Sequence, residues 1–88
     1  MIKWQKQGEA VVGPVVLGDG QPATVVLVGT RQNPKGAAIV LTPEDNGPLK
    51  TTPLNDALGR LDPAQVIDIV CVQERIFGNS GLPPAELP

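Results

Sequence analysis

Apolar runs rich in β-branched residues follow one another along this chain. Three of them lie at residues 9–17, 23–30 and 36–42; a short fourth segment follows near residues 48–51, and a final strong run at residues 66–74. Turn-forming residues separate the first four runs, as in Gly18-Asp19-Gly20, Asn33-Pro34-Lys35-Gly36 and Asp45-Asn46-Gly47. Such residues tolerate a positive φ or fix a turn between neighbouring strands. The pattern therefore predicts an antiparallel meander of five strands, folded into a small barrel or sandwich.

One segment, residues 52–61, departs from this pattern and predicts a short helix. Thr52 offers a capping hydroxyl before Pro53, and proline suits the first position of a helix. The apolar residues Leu54, Ala57, Leu58 and Leu61 then repeat with helical spacing. One face of this helix is therefore apolar and can plug an end of the barrel. Residues 62–65 are expected to turn the chain into the last strand, at residues 66–74.

Two of the strands are apolar at every position instead of at alternate ones. They are Val-Val-Leu-Val at residues 25–28 and Ala-Ile-Val-Leu at residues 38–41. A strand of this kind has both of its faces covered. Because one short helix in a chain of 88 residues offers little cover, we expect a homo-oligomer.

The length of the chain allows one small domain. We place that β-barrel domain at residues 1–77, and a C-terminal arm rich in proline and glycine at residues 78–88. The prolines exclude a regular central strand, so the arm is either a disordered terminus or a docking arm. In the second case Leu82 and Leu87 are the anchors of a protein interface.

Few side chains of this chain are suited to catalysis. Histidine and tyrosine are absent, and cysteine, tryptophan and phenylalanine occur once each. We therefore expect no enzyme, no bound metal and no cofactor. Cys71, inside the run at residues 66–74, is expected to be a small buried hydrophobe. Asp68, in the same run, either faces solvent or is buried beside a cation such as Arg60 or Arg75.

The charge and the hydropathy pattern limit the partners. A net charge of −2 argues against a protein whose main task is to coat nucleic acid. No apolar stretch reaches the length needed to cross a bilayer, and no signal-peptide core follows Lys3 and Lys6. We expect no membrane partner and a cytoplasmic location.

A site for single-stranded nucleic acid can still be assembled from the sequence. Its candidates are Trp4 and Phe77 as stacking platforms, with Lys6, Arg31 and Lys35 as partners of the phosphates. The alternative is that Trp4 and Phe77 are hydrophobic plugs that close the barrel.

Four short motifs follow one another in the chain. They are Trp4 before residues 8–13 on a long first strand, a capped Thr-x-Leu helix from Thr52 to Leu61, the turn at residues 61–66, and Gly-Asn-Ser-Gly at residues 78–81. With these motifs the chain resembles a group of small OB-fold proteins of phages and mobile elements. The resemblance implies an OB-like barrel, single-stranded DNA binding and, for a phage protein, the cytoplasm of the host cell.

The chain departs from that group at its C-terminus, where prolines replace a fifth strand that usually contains aromatic residues. An SH3-like barrel also places a short helical turn before its last strand, and it is compatible with the same pattern. Two functions follow as hypotheses. The first is an accessory single-stranded nucleic-acid-binding protein. The second is a protein-interaction or structural module, such as a small phage structural or host-inhibitory protein, that acts through its apolar strands and its arm.

Overall fold

The computed structural model describes residues 2–30, 32–41 and 49–78, without the side chain of Pro34. Its main element is one antiparallel sheet whose five strands are neighbours in chain order. They are β1 Gln5–Gln7, β2 Ala10–Val16, β3 Pro22–Gly29, β4 Pro34–Leu41 and β5 Lys50–Pro53. The helix α1, Leu54–Ala57, continues into a 3₁₀ turn, Leu58–Arg60, and a longer helix, α2, spans Pro63–Phe77. The predicted antiparallel meander is confirmed for its first four strands, which correspond to β2, β3, β4 and β5.

The turn between β2 and β3 illustrates why the chain reverses where the sequence predicts. Gly20 has a φ of 86°, which a glycine adopts without strain. The Gly20 N–H donates to the Leu17 carbonyl at 2.8 Å, and the Asp19 side chain accepts from the Gln21 N–H at 3.0 Å. Beyond this turn β2 and β3 pair from Val16 and Pro22 to Ala10 and Val28.

The prediction of a strand at residues 66–74 is wrong, because these residues belong to α2. The Asp62 carboxylate caps the helix by accepting from the Gln65 N–H at 2.9 Å, and Pro63 takes the first helical position. The helix ends at Gly78, with a φ of 93°. The β-branched residues of this segment favour a strand only weakly, and packing on the sheet outweighs that preference.

The helical conformation also overturns the expectation for Cys71. In α2 the side chains turn by about 100° per residue, so only one stripe faces the sheet. Ile69 and Val72 are in that stripe and are buried, whereas Cys71 is exposed.

The short helix is confirmed in position but not in its cap. The chain is helical from Leu54 through Arg60, and Leu54, Ala57 and Leu61 are buried. The residue that precedes the helix is Pro53, and no side chain in the described ranges caps this end by a hydrogen bond. Thr52 lies instead at the end of β5, opposite Ile39 of β4.

The core lies between one face of the sheet and the helices. From the sheet it receives Val15, Ala23, Val25, Leu27, Ala37 and Ile39, and from the helical region Leu54, Ala57, Leu61, Ile69 and Val72. The sheet is not closed into a barrel, since β1 and β5 are its two edges. The prediction of a closed barrel is wrong, because the segment assigned to the last strand is a helix. This helix packs on a face of the sheet and does not join one of its edges.

Several sequence predictions lie outside the described residues. They concern Arg31, the turn at 45–47, and residues 79–88 with Leu82 and Leu87. Within the described part of the chain, neither helix is long and apolar enough to cross a membrane.

Candidate interaction surface

The sheet has a second face, opposite the core, which we call the open face. It is formed by Ala10, Val12, Pro14 and Val16 of β2, Pro22, Thr24, Val26 and Val28 of β3, and Ala38 and Val40 of β4, and the edge strands extend it with Gln5 and Gln7 of β1 and Thr51 and Pro53 of β5. The pairing register aligns Val12 with Val26, and Val26 with Ala38. Because side chains alternate along a strand, these residues lie opposite the buried Val25, Leu27 and Ile39.

The open face follows directly from the two strands that are apolar throughout. In β3 the odd-numbered residues from Ala23 to Leu27 are buried in the core, so Val26 and Val28 come to the other side. None of the open-face residues belongs to the core cluster or to the residues packed against it. Among the residues that the structure describes, no helix packs on this face.

The exposure of the open face varies with position. The central valines, Val12, Val26, Val28 and Val40, are half-buried by their neighbours, and Val16 at the end of β2 is 56% exposed. Ala38 is 1% exposed, since its methyl group lies between the larger side chains of Val26 and Pro53 on the adjoining strands. The surface is therefore broad and apolar, with a shallow depression at Ala38.

Charged side chains are absent from the open face as defined. The Glu9–Lys35 ion pair consists of two exposed groups, one in the turn between β1 and β2 and the other near the start of β4. A hydrogen bond from Lys35, together with its positive charge, holds the pKa of the Glu9 carboxyl below its ordinary value. A second exposed pair joins Arg60 to Asp19 at 3.5 Å.

The predicted nucleic-acid-binding residues are engaged in different ways. Trp4 and Phe77 are half-buried and pack against the core. Lys6 is exposed on β1, and Lys35 is paired with Glu9. The two aromatic rings thus contribute part of their surface to the core.

Asp68 connects α2 to the N-terminal segment. One carboxylate oxygen accepts from the Ile2 N–H at 2.7 Å and the other from the Trp4 indole N–H at 3.4 Å. Asp68 is half-buried, and its partners are these two N–H groups instead of Arg60 or Arg75. One turn earlier, the Gln65 amide donates to the Val16 carbonyl at 3.0 Å and accepts from the Val16 N–H at 3.2 Å. The helix therefore holds both β2 and the segment before β1.

A cleft of about 290 Å³ lies beside these contacts, lined by Ile2, Pro14, Asp62, Ala64, Gln65 and Asp68. Its polar groups are largely committed to the helix cap and to the contacts with Ile2, Trp4 and Val16. Within the described ranges, no three cysteine or acidic side chains come together where they could hold a metal ion. The cleft has the character of a junction between α2 and the sheet.

We expect the substitution Asp68→Asn to lower the free energy of unfolding by about 1–2 kcal/mol. The asparagine is neutral and retains one acceptor oxygen, so one of the two N–H groups keeps only an uncharged acceptor and the other loses its acceptor. Urea unfolding followed by the fluorescence of Trp4, the single tryptophan, measures the change. Glu74→Gln, on an exposed part of α2, removes the same charge and should leave stability nearly unchanged. Equal losses in both variants would contradict a specific role for Asp68.

Comparisons of this chain with protein-family models, with curated proteins and with solved structures gave no match. We therefore infer function from the surface itself. Sequence reasoning found the part of the open face in β3 and β4. It missed Gln65 and Asp68 as contacts of α2, although Asp62-Pro63 is a signal for the start of a helix.

Proposed function

We propose that this chain is a non-enzymatic protein-interaction module that binds a polypeptide partner through the open face. The observation that carries the proposal is an uncharged, valine-rich sheet face on which no described helix packs. Contiguous apolar surfaces of this kind mark sites of association, because their removal from water contributes a favourable free energy of about 25 cal/mol per Å². β-branched side chains also give such a face a stiff shape, which lowers the entropy lost on binding.

The alternative function, binding of single-stranded nucleic acid, draws its support from Lys3 and Lys6, which are exposed near the N-terminus. It has less support than protein binding, because the open face offers neither a cation nor an aromatic ring. It stays a prediction, and a low-salt titration with a labelled oligonucleotide would test it. The assignment of the sheet to an OB-like or an SH3-like type, and the origin in a phage or mobile element, also stay predictions.

Position-specific photocrosslinking in cells of the source organism tests the proposed function. A photoreactive phenylalanine analogue at Val16 or Val28 lies on the open face, whereas the same analogue at Ile67 lies on an exposed part of α2. We expect crosslinked adducts from positions 16 and 28 and few from position 67. The masses of the adducts separate a second copy of the chain from another protein. Absence of adducts at both sheet positions, or equal adducts at all three, would refute the proposal.

A further inference from the structure

We infer that the partner that occupies the open face is a second copy of this chain, bound face to face as in a β-sandwich. This inference rests on the proposed function and names the partner that it leaves open. Two sheets pack with their faces about 10 Å apart and their strands turned by about 30°. The open face supplies what such packing needs, since its central residues are valine, threonine and alanine.

The charge distribution favours a second copy. Each chain carries a net charge of −2, so two copies repel each other wherever acidic groups are brought together. The open face contains no ionisable side chain, and a twofold axis through it brings valine against valine. Two copies of the face can therefore pack together without bringing like charges into contact.

The area of the face agrees with a weak dimer. Strands β2, β3 and β4 are seven, eight and eight residues long, and the edge strands are shorter. With about 4.8 Å between strands and about 3.3 Å per residue, the face spans on the order of 500 Å². Two faces together would bury on the order of 1,000 Å², the size at which specific interfaces begin. We therefore expect the dimer to have a dissociation constant in the micromolar range or above.

A second exposed apolar surface, the α2 stripe, competes for the same role. It consists of Ile67, Val70 and Cys71, which follow the i, i+3, i+4 spacing on the outer side of the helix. The exposed and charged Glu74 is the next residue on this side of the helix, so the apolar stripe ends before it. The stripe covers about one turn of helix, far less than the three long strands of the open face, so it is the weaker candidate.

The decisive experiment measures the mass of the purified full chain by analytical ultracentrifugation over a wide range of concentration, with a reductant present to keep Cys71 free. We expect a reversible dimer that high salt does not dissociate, because the interface is uncharged. In the double variant Val26→Thr, Val40→Thr, the hydroxyl groups enter a dry interface while the β-branched shape remains, and dimerisation should weaken about tenfold or more. The matched variant Ile67→Thr, Val70→Thr should dimerise like the parent chain. Circular dichroism confirms that each variant retains its sheet.

Three results would overturn the inference. A chain that is monomeric at every concentration has no self-association through this face. Loss of the dimer only in the Ile67→Thr, Val70→Thr variant would assign the interface to the α2 stripe. A monomeric parent chain that dimerises after Leu82→Ser and Leu87→Ser would show that the C-terminal arm covers the open face. If the purified chain is monomeric but position 28 crosslinks to a different protein in cells, the inference fails and the proposed function stands.

Discussion

Replacement of Ile69 by alanine is expected to lower the free energy of unfolding by about 2–5 kcal/mol. Ile69 is 0% exposed and belongs to the core between α2 and the sheet. Its truncation removes apolar contacts and leaves a cavity that the surrounding strands can fill only in part. Urea unfolding followed by circular dichroism would measure the loss as a lower midpoint at an unchanged slope.

Ile67 provides the matched control for this substitution. It is 64% exposed on the same helix, and Ile67→Ala should change stability by less than about 0.5 kcal/mol. In a strand, residues 67 and 69 would lie on the same face and would respond alike. In a helix two positions correspond to about 200°, so one residue faces the core and the other solvent. Similar losses for Ile67→Ala and Ile69→Ala would contradict the helical assignment of residues 63–77.

The second large effect is expected at Gly13 of β2, where Gly13→Ala should cost about 1–3 kcal/mol. A methyl group placed on Gly13 would overlap Cγ2 of Ile2 and would lie 2.8 Å from Cε3 of Trp4. Both side chains would have to move, and Trp4 would lose part of its packing against the core and its contact with Asp68. Thermal unfolding would show the loss, and the fluorescence of Trp4 would shift in the native state as its ring becomes more exposed.

Gly59 separates this steric effect from the general effect of replacing glycine. Among the residues that the structure describes, none lies within 4 Å of a methyl group placed on Gly59, and the φ of Gly59 is outside the left-handed region. Gly59→Ala should therefore leave stability unchanged or raise it by about 0.4–1 kcal/mol, because the unfolded chain loses conformational freedom. If Gly13→Ala is as stable as Gly59→Ala, the packing of Ile2 and Trp4 over β2 is not as described.

The strands β2, β3 and β4 could be predicted from the sequence because their signals are local. Apolar runs mark their lengths, and the turns are marked by residues such as Gly20. The edge strand β1 was not predicted, since Gln5, Lys6 and Gln7 are polar, and an exposed edge strand carries no hydrophobic pattern. A strand of this kind forms because β2 offers it a partner.

The helix α2 could not be predicted from its residue types. Its valines and isoleucines are typical of strands, and an apolar run of this length is compatible with either conformation. The local signals that favour the helix are Asp62 and Pro63 at its start and Gly78 at its end. The open face was found only in part, because an unbroken apolar run predicts two apolar faces without saying which element covers each one.

The contacts of Asp68 and Gln65 have a consequence for the order of folding. In the meander each strand pairs with its neighbour in the chain, so the sheet can grow by closing short loops. Asp68 instead meets Ile2 and Trp4 across 66 and 64 residues, and Gln65 meets Val16 across 49. Bringing such distant residues together costs more chain entropy than closing a hairpin. We therefore expect the docking of α2 to be a late step of folding, the one that joins the two ends of the domain.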